Sequence, residues 1–148
     1  MVAIPQDVHA RIDRPHIWYV ATVNPDGSPH VSPMWVGQDG NLLFFNTAIG
    51  RIKERNLRCD RRVSPSHADS ADPYDRVQGR GRAARFIEGP EADENMDRLA
   101  RTYLATDRFE WRVPGERRVI VPVEPSRVRR VVGVEPFPPG ASGITEPR

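Results

Sequence analysis

Lysine is almost missing from this sequence. Of the 22 basic residues in 148, Lys53 is the single lysine, and every other cation is arginine. Cysteine is as scarce: Cys59 stands alone, which excludes an internal disulfide and a cysteine-based metal cluster and leaves it an inert thiol on a helix. No apolar run approaches the ~20 residues a membrane-spanning helix needs, and the opening MVAIPQDVHARIDR lacks a signal-peptide core, so a cytoplasmic protein with no membrane partner is expected. Charge of one sign is not in excess either. The 20 acids leave a net charge of +2 and are interleaved with the arginines, whereas nucleic-acid binders segregate their basic residues, so no nucleic-acid partner is expected. Neither G-x-G-x-x-G nor G-x-x-x-x-G-K-[ST] occurs, which removes Rossmann and P-loop phosphate sites. His9, His16, His30 and His67 lack metal-ligand spacing, no catalytic triad is visible, and no metal is expected.

The chain is long enough for one well-filled core, burying roughly 68–70% of its extended surface, and too short for two ordinary domains. A mean hydropathy of −0.59 adds that much of it is solvated. One domain over residues 1–136 is expected, followed by a Pro/Gly-rich tail, 137–148 (FPPGASGITEPR). Val8 and Ile12, at i and i+4 after Pro5, predict a short amphipathic helix that Pro15 ends. IWYVATVN, SPHVSPMWVG and NLLFFNT then form three β-prone runs separated by two Asp-Gly turns, a meander. Neither face of the first run is strongly polar, as expected where a sheet is covered on both sides.

Residues 49–60 predict a second helix, and RRVSPSHADS a weak strand interrupted by Pro65. VQGRGRAARFIEG is a better strand whose Gly79 and Gly81 share a face, allowing the sheet to bend or a neighbour to approach closely. Met96, Leu99, Ala100, Tyr103 and Leu104 give the helix from Pro90 to Leu104 a core-facing stripe. ERRVIVPVEP and SRVRRVVGVE predict two final strands joined at Glu124-Pro125.

The lone lysine lies in NTAIGRIKERNLR. There a strand ends near Thr47, Gly50 follows, and a helix opens with Arg51, Lys53 and Arg55 against the single acid Glu54. A helix start carries about half a positive charge and unpaired N–H groups, so each cation there is disfavoured by roughly 0.3–1 kcal/mol. A bound phosphate reverses that sign by accepting N–H bonds, a bidentate arginine and a point-charge lysine. Lys53 and Asn56, at i and i+3, can approach one ligand, and Asn46 and Thr47 can add amide and hydroxyl contacts. A solvated helix face, with Glu54 paired to nearby arginines, explains the same charges.

The blocks ATVNPDGSPHVSPMWVG, QDGNLLFFNTAIGRIKERNLRCDRRVS, DPYDRVQGRGRAARFIEG, MDRLARTYL and PGERRVIVPVEPSRV, in that order over residues 7 to 132, resemble the pyridoxamine 5′-phosphate oxidase-like superfamily. Within it the chain is most similar to the deazaflavin (F420)-dependent oxidoreductases. The resemblance implies a mainly β fold with short helices (α+β), an antiparallel, FMN-binding-like split β-barrel. It implies a homodimer with cofactors in grooves between subunits, phosphate on Arg51, Lys53 and Asn56 with Asn46 and Thr47 beside it, and the ring along Pro33, Met34 and Trp35. Gln78 matches a position near the flavin, and Trp111 and Arg118 fall where the second subunit commonly contributes. The polar VSPSHADSADPYD departs from the aliphatic strand usual there.

By that resemblance the chain is an F420H2-dependent reductase acting on an unsaturated small-molecule substrate, the cofactor carrying the chemistry. Arg55 or Arg58 then assists through attraction to the cofactor's acidic tail. The alternatives are an FMN-dependent oxidase or flavin reductase on the same fold, and a non-catalytic flavin- or haem-binding protein.

Overall fold

The structure, a computed structural model, describes residues 1–134, so the expected boundary at 136 and the tail over 137–148 lie outside the described residues. Helix α1 (Gln6–Ile12) follows Pro5 and buries Val8 and Ile12, the pair that predicted it. Strands β1 (Trp18–Val23), β2 (Pro29–Met34), β3 (Val36–Asp39) and β4 (Leu42–Ala48) come next, with the PDG turn at Gly27 and a second turn at Gly40. The run expected as one middle strand is therefore two, broken at Trp35. Helix α2 (Ile52–Cys59), β5 (Arg62–Ala68), β6 (Arg76–Ala83), β7 (Ile87–Glu88), α3 (Pro90–Leu104) and β8 (Arg118–Val131) complete the described chain.

The strands form one antiparallel path, β2-β1-β5-β6-β8-β4-β3, with β7 against β8. Its two ends, β2 and β3, are joined through the single residue Trp35, so Met34 and Val36 lie no more than about 7 Å apart. The sheet must curl until its edges nearly meet, which makes a barrel. Closure is incomplete. Among the described residues β3 pairs only with Leu42–Phe45 of β4, so Asn46, Thr47 and Ala48 are bonded there on one side alone, to β8. A split remains between the end of β4 and the free edge of β2. Trp18, Val20, Phe45 and Val121 fill the barrel, while Phe44, on the other face of β4, packs with Met96 and Leu99 of α3. Both faces of β4 are covered, which accounts for its unbroken LLFF run.

The polar β5 is an interior strand between β1 and β6. Its ladder to β6 runs Val63↔Gly81 and then Ser66↔Gln78, passing over Pro65, which has no N–H to donate. Gly79 makes that possible: a Cβ there would sit 3.0 Å from the Pro65 ring. The two final strands expected from the sequence are one strand of 14 residues. Pairing with β6 slips from Arg80↔Arg127 to Gly81↔Pro125, so Ser126 is the extra residue of a bulge that bends β8 without ending it. Among the described residues no helix is long and apolar enough to cross a membrane.

His67 of β5 is buried, beside Trp18 of β1. It donates from Nδ1 to the Ile17 carbonyl at 3.1 Å and lies tilted against His16 with ring centroids 4.4 Å apart. Burial chiefly, then repulsion from His16 and Arg11, pushes its pKa below the ordinary imidazole value, although the Ile17 bond and Asp69 act the other way; Asp75 also lies within range. A depressed histidine binds its proton more readily when unfolded, so its contribution is intact above the unfolded pKa of about 6.5 and is lost as pH falls toward the folded value. Urea melts between pH 7.5 and 5 are expected to show stability falling with acid in the wild type and a shallower fall in His67→Leu. Equal slopes would remove His67 from the acid response.

Candidate functional site

A groove of about 390 Å³ occupies the split in the barrel. Pro33 and Met34 of β2, with Trp35, form one bank; Asn46 and Thr47 of β4 form the other. Met96 and Leu99 of α3, Phe109 and Trp111 from the 105–117 segment, and Arg118 at the start of β8 close the far side. Gly50 turns the chain from β4 into α2 with φ +90, a left-handed conformation that costs a side-chain-bearing residue strain. That turn carries Arg51 and Lys53 onto the groove.

Three cations meet there. Lys53 is half-buried and has no hydrogen bond or ion pair among the described residues. Burial first, then Arg51 and Arg118, lower its pKa from the ordinary lysine value. Arg51 and Arg118 share one carboxylate, Glu116, at 3.1 and 2.8 Å. Glu54, the acid expected to oppose the cations, is turned away. It accepts the Gly50 N–H at 3.0 Å and Arg58 Nε at 2.7 Å, contacts that hold its carboxyl below the usual value although burial pushes it up. Against Arg51, Lys53 and Arg118 the groove thus sets, among the described residues, Glu116 alone, which leaves two positive charges uncompensated there.

The opposite wall is aromatic. Trp35 stacks on Tyr103 at 5.1 Å, and Phe109 stands edge-on to Trp35 at 6.0 Å and to Trp111 at 5.9 Å. The Tyr103 hydroxyl accepts the Val36 N–H and donates to the His16 carbonyl, fixing the stack to the barrel. The Arg118 guanidinium lies 5.8 Å over the Phe109 ring, so the cationic corner and the aromatic wall touch. Trp111, 66% exposed, forms the lip.

Nine of the residues singled out from the sequence line this groove: Pro33, Met34, Trp35, Asn46, Thr47, Arg51, Lys53, Trp111 and Arg118. Trp111 and Arg118, expected from a second subunit, reach the groove of their own chain. The Asn46 amide is already engaged, donating to Ala92 O and Asn95 Oδ1 and accepting from Arg118 Nε. It positions Arg118 and α3. The Thr47 hydroxyl makes no hydrogen bond among the described residues and borders the groove. Asn56 does not line it. Asn56 is buried on the barrel side of α2, donating to Thr22 Oγ1 and Asn24 Oδ1, because that face of the helix packs on β1. Gln78 lies on the outer face of the sheet, accepting from Arg129, in a separate cleft. Arg58 is spent on Glu54, Glu88 and the Phe86 ring, whereas Arg55 is exposed and makes no ion pair among the described residues.

Phe109, Glu116, Met96 and Leu99 were not anticipated as site residues. For Met96 and Leu99 the helical stripe identified a core face and nothing more. Phe109 and Glu116 lie in a segment without regular structure, where spacing carries no direction.

The pyridoxamine 5′-phosphate oxidase family model matches residues 4–131. Among solved structures, an F420 reductase superposes with a TM-score of 0.74 and 30% identity over 85% of this chain and 98% of its own. A conserved hypothetical protein from Mycobacterium tuberculosis follows with a TM-score of 0.71, 24% identity, and 96% and 95% coverage. General Stress Protein 26 from Bacillus anthracis gives 0.65, 17%, and 85% and 92%. The last two likenesses speak to the fold alone. No curated protein matches the sequence. A split antiparallel barrel, a groove in the split with a cationic corner and an aromatic wall, and a family match over nearly the whole described chain meet in one conclusion: the chain belongs to the pyridoxamine 5′-phosphate oxidase-like family, whose fold binds flavin-type cofactors.

Proposed function

We propose that the protein is an F420H2-dependent reductase. The observation that carries the cofactor site is Lys53: a half-buried ammonium beside two arginines, with no counter-ion of its own among the described residues, in a groove whose other wall is aromatic. A phosphate beside a planar ring matches that donor set, anion to cations and ring to Trp35 and Met34. The choice of deazaflavin rests on the F420 reductase neighbour at 30% identity. When bound, the reduced cofactor supplies a hydride to an unsaturated organic substrate. The chain's own part is to hold and to exclude. Lys53, Arg51 and Arg118 bind the phosphate; Pro33, which has no N–H, and Met34 border the ring; Phe109 and Trp111 keep water from its face.

A second reading, FMN in the same groove, is favoured by charge. A phosphate monoester carries about −1.5 to −2, close to the two positive charges left over, while a diester such as F420's carries only one at its phosphorus. Parallel titrations with FMN and F420, followed by fluorescence, decide between them. Tighter binding of F420 and reduction of an activated enone with F420H2 are expected. Retention of FMN through purification with no F420 binding would overturn the deazaflavin reading, and failure to bind either would overturn both.

Assembly as a homodimer belongs to the same proposal. Tyr19, 54% exposed, and Val31, 59% exposed, share the outer face of β1 and β2 with Pro33, so an apolar patch runs from that face to the groove. A mass of one chain by light scattering at micromolar concentration would sink it.

A further inference from the structure

The groove's aromatic wall stands on a segment without regular structure, residues 105–117, between α3 and β8. A wall built on such a segment is only as definite as its ties. One end is tied by Glu116 to Arg51 and Arg118. The other is tied to α3, where Arg101 Nη1 donates to the Asp107 carbonyl at 3.2 Å and Asp97 is the side chain that holds Phe109. Asp97 Oδ1 accepts the Phe109 N–H at 2.9 Å and Arg112 Nη2 at 2.7 Å, and Arg112 reaches on to Asp93 Oδ1 at 3.3 Å. These two contacts straddle Trp111. Phe109 is in turn the ring that touches Trp35, Trp111 and Arg118, so its backbone position sets the wall's position relative to the cationic corner.

We infer that Asp97 is a positioning residue for the cofactor ring: by fixing Phe109 and Arg112 it holds the Phe109–Trp111 wall at the depth where a planar ring is gripped against Trp35 and Met34. This rests on the reading of the groove as a flavin-type site. Asp97 acts at one remove, touching neither phosphate nor ring. Although partial burial pushes its carboxyl up, the Phe109 N–H and Arg112 bring it below the ordinary range, so the tie is charged at neutral pH. Division of labour follows. Lys53 and its arginines hold the anion; Asp97 governs how long the ring stays.

The test is Asp97→Ala beside Asp97→Asn. Alanine is a good helix former, so α3 is not weakened by propensity, and asparagine keeps an acceptor for the Phe109 N–H while losing the charge that holds Arg112. Expected for Asp97→Ala are a dissociation rate for FMN or F420 about tenfold faster, the size of one lost charge-assisted hydrogen bond, with affinity for inorganic pyrophosphate unchanged. Asp97→Asn is expected to lie between it and wild type. Trypsin cleavage after Arg108 and Arg112, and acrylamide quenching of tryptophan fluorescence, should both increase in the cofactor-free Asp97→Ala protein. An unchanged off-rate, or equal loss of pyrophosphate and flavin affinity, overturns the assignment. Should the wild type bind no flavin, the proposed function fails, and the cleavage and quenching measurements judge Asp97 by themselves: unchanged values there overturn it.

Discussion

Lys53→Ala is expected to weaken binding of the phosphate-bearing cofactor by roughly 1.5–3 kcal/mol, about 10- to 150-fold in Kd, while leaving the urea midpoint unchanged or slightly raised. The asymmetry comes from the absence of a partner. Removing one member of a buried ion pair leaves the other uncompensated and costs folding stability. Lys53 has no such member among the described residues, and its neighbours Arg51 and Arg118 repel it. Its removal relieves the empty groove and harms only the loaded one. Arg118→Ala should behave differently, because Arg118 also bonds Glu116 and Asn46, and both folding and binding are expected to suffer. Gln78→Ala serves as the companion variant. Gln78 lies outside the groove of its own chain, so a loss of cofactor affinity there would mean that the outer face of a second copy completes the site. Unchanged affinity in Lys53→Ala would take the anion away from this corner.

The fold was legible in the sequence where chemistry is local. The Asp-Gly turns, the Val8/Ile12 pair and the stripe of α3 each state a conformation within a few residues, and each helix and turn lies where they put it. What was not legible depends on the far side of a contact. Pro65 made β5 read as an interrupted strand because the residue that accommodates it, Gly79, lies on another strand. Glu124-Pro125 read as a break for the same reason: the bulge at Ser126 exists only in relation to β6. The site divides along that line too. The excess of cations at the start of α2 could be counted from the sequence, but which of them is free could not. Glu54 was counted against the cations, yet its carboxylate turns back to Gly50 and Arg58, and the acid that enters the corner, Glu116, comes from more than sixty residues along the chain. Asn56 failed to reach the groove because i, i+3 spacing fixes which residues are neighbours on a helix and not which way that side faces.

The largest stability effect is expected at Gly81. An alanine there would put its Cβ 2.4 Å from the Glu124 carbonyl oxygen and 2.8 Å from Val123 Cγ1. The first of these is backbone, held in the β6–β8 ladder on both sides of the bulge, so it cannot rotate away. Gly81→Ala is therefore expected to cost about 3 kcal/mol, at the upper end of overpacking in a tight core. Gly79→Ala, whose Cβ meets the Pro65 ring at 3.0 Å and the Pro65 carbonyl oxygen at 3.2 Å, should cost less, about 1 kcal/mol, since both contacts are longer and a ring pucker with a small strand shift relieves them. Val123→Ala in the Gly81→Ala background should recover only the side-chain part of the clash. Urea melts of the four proteins give the ordering directly. If Gly81→Ala and Gly79→Ala were equally mild, β8 would not pass as close to β6 as the bulge requires, and the bend that curls the sheet toward its split would need another cause. The groove depends on that curl, so the same substitution is expected to weaken cofactor binding from a position that does not line it.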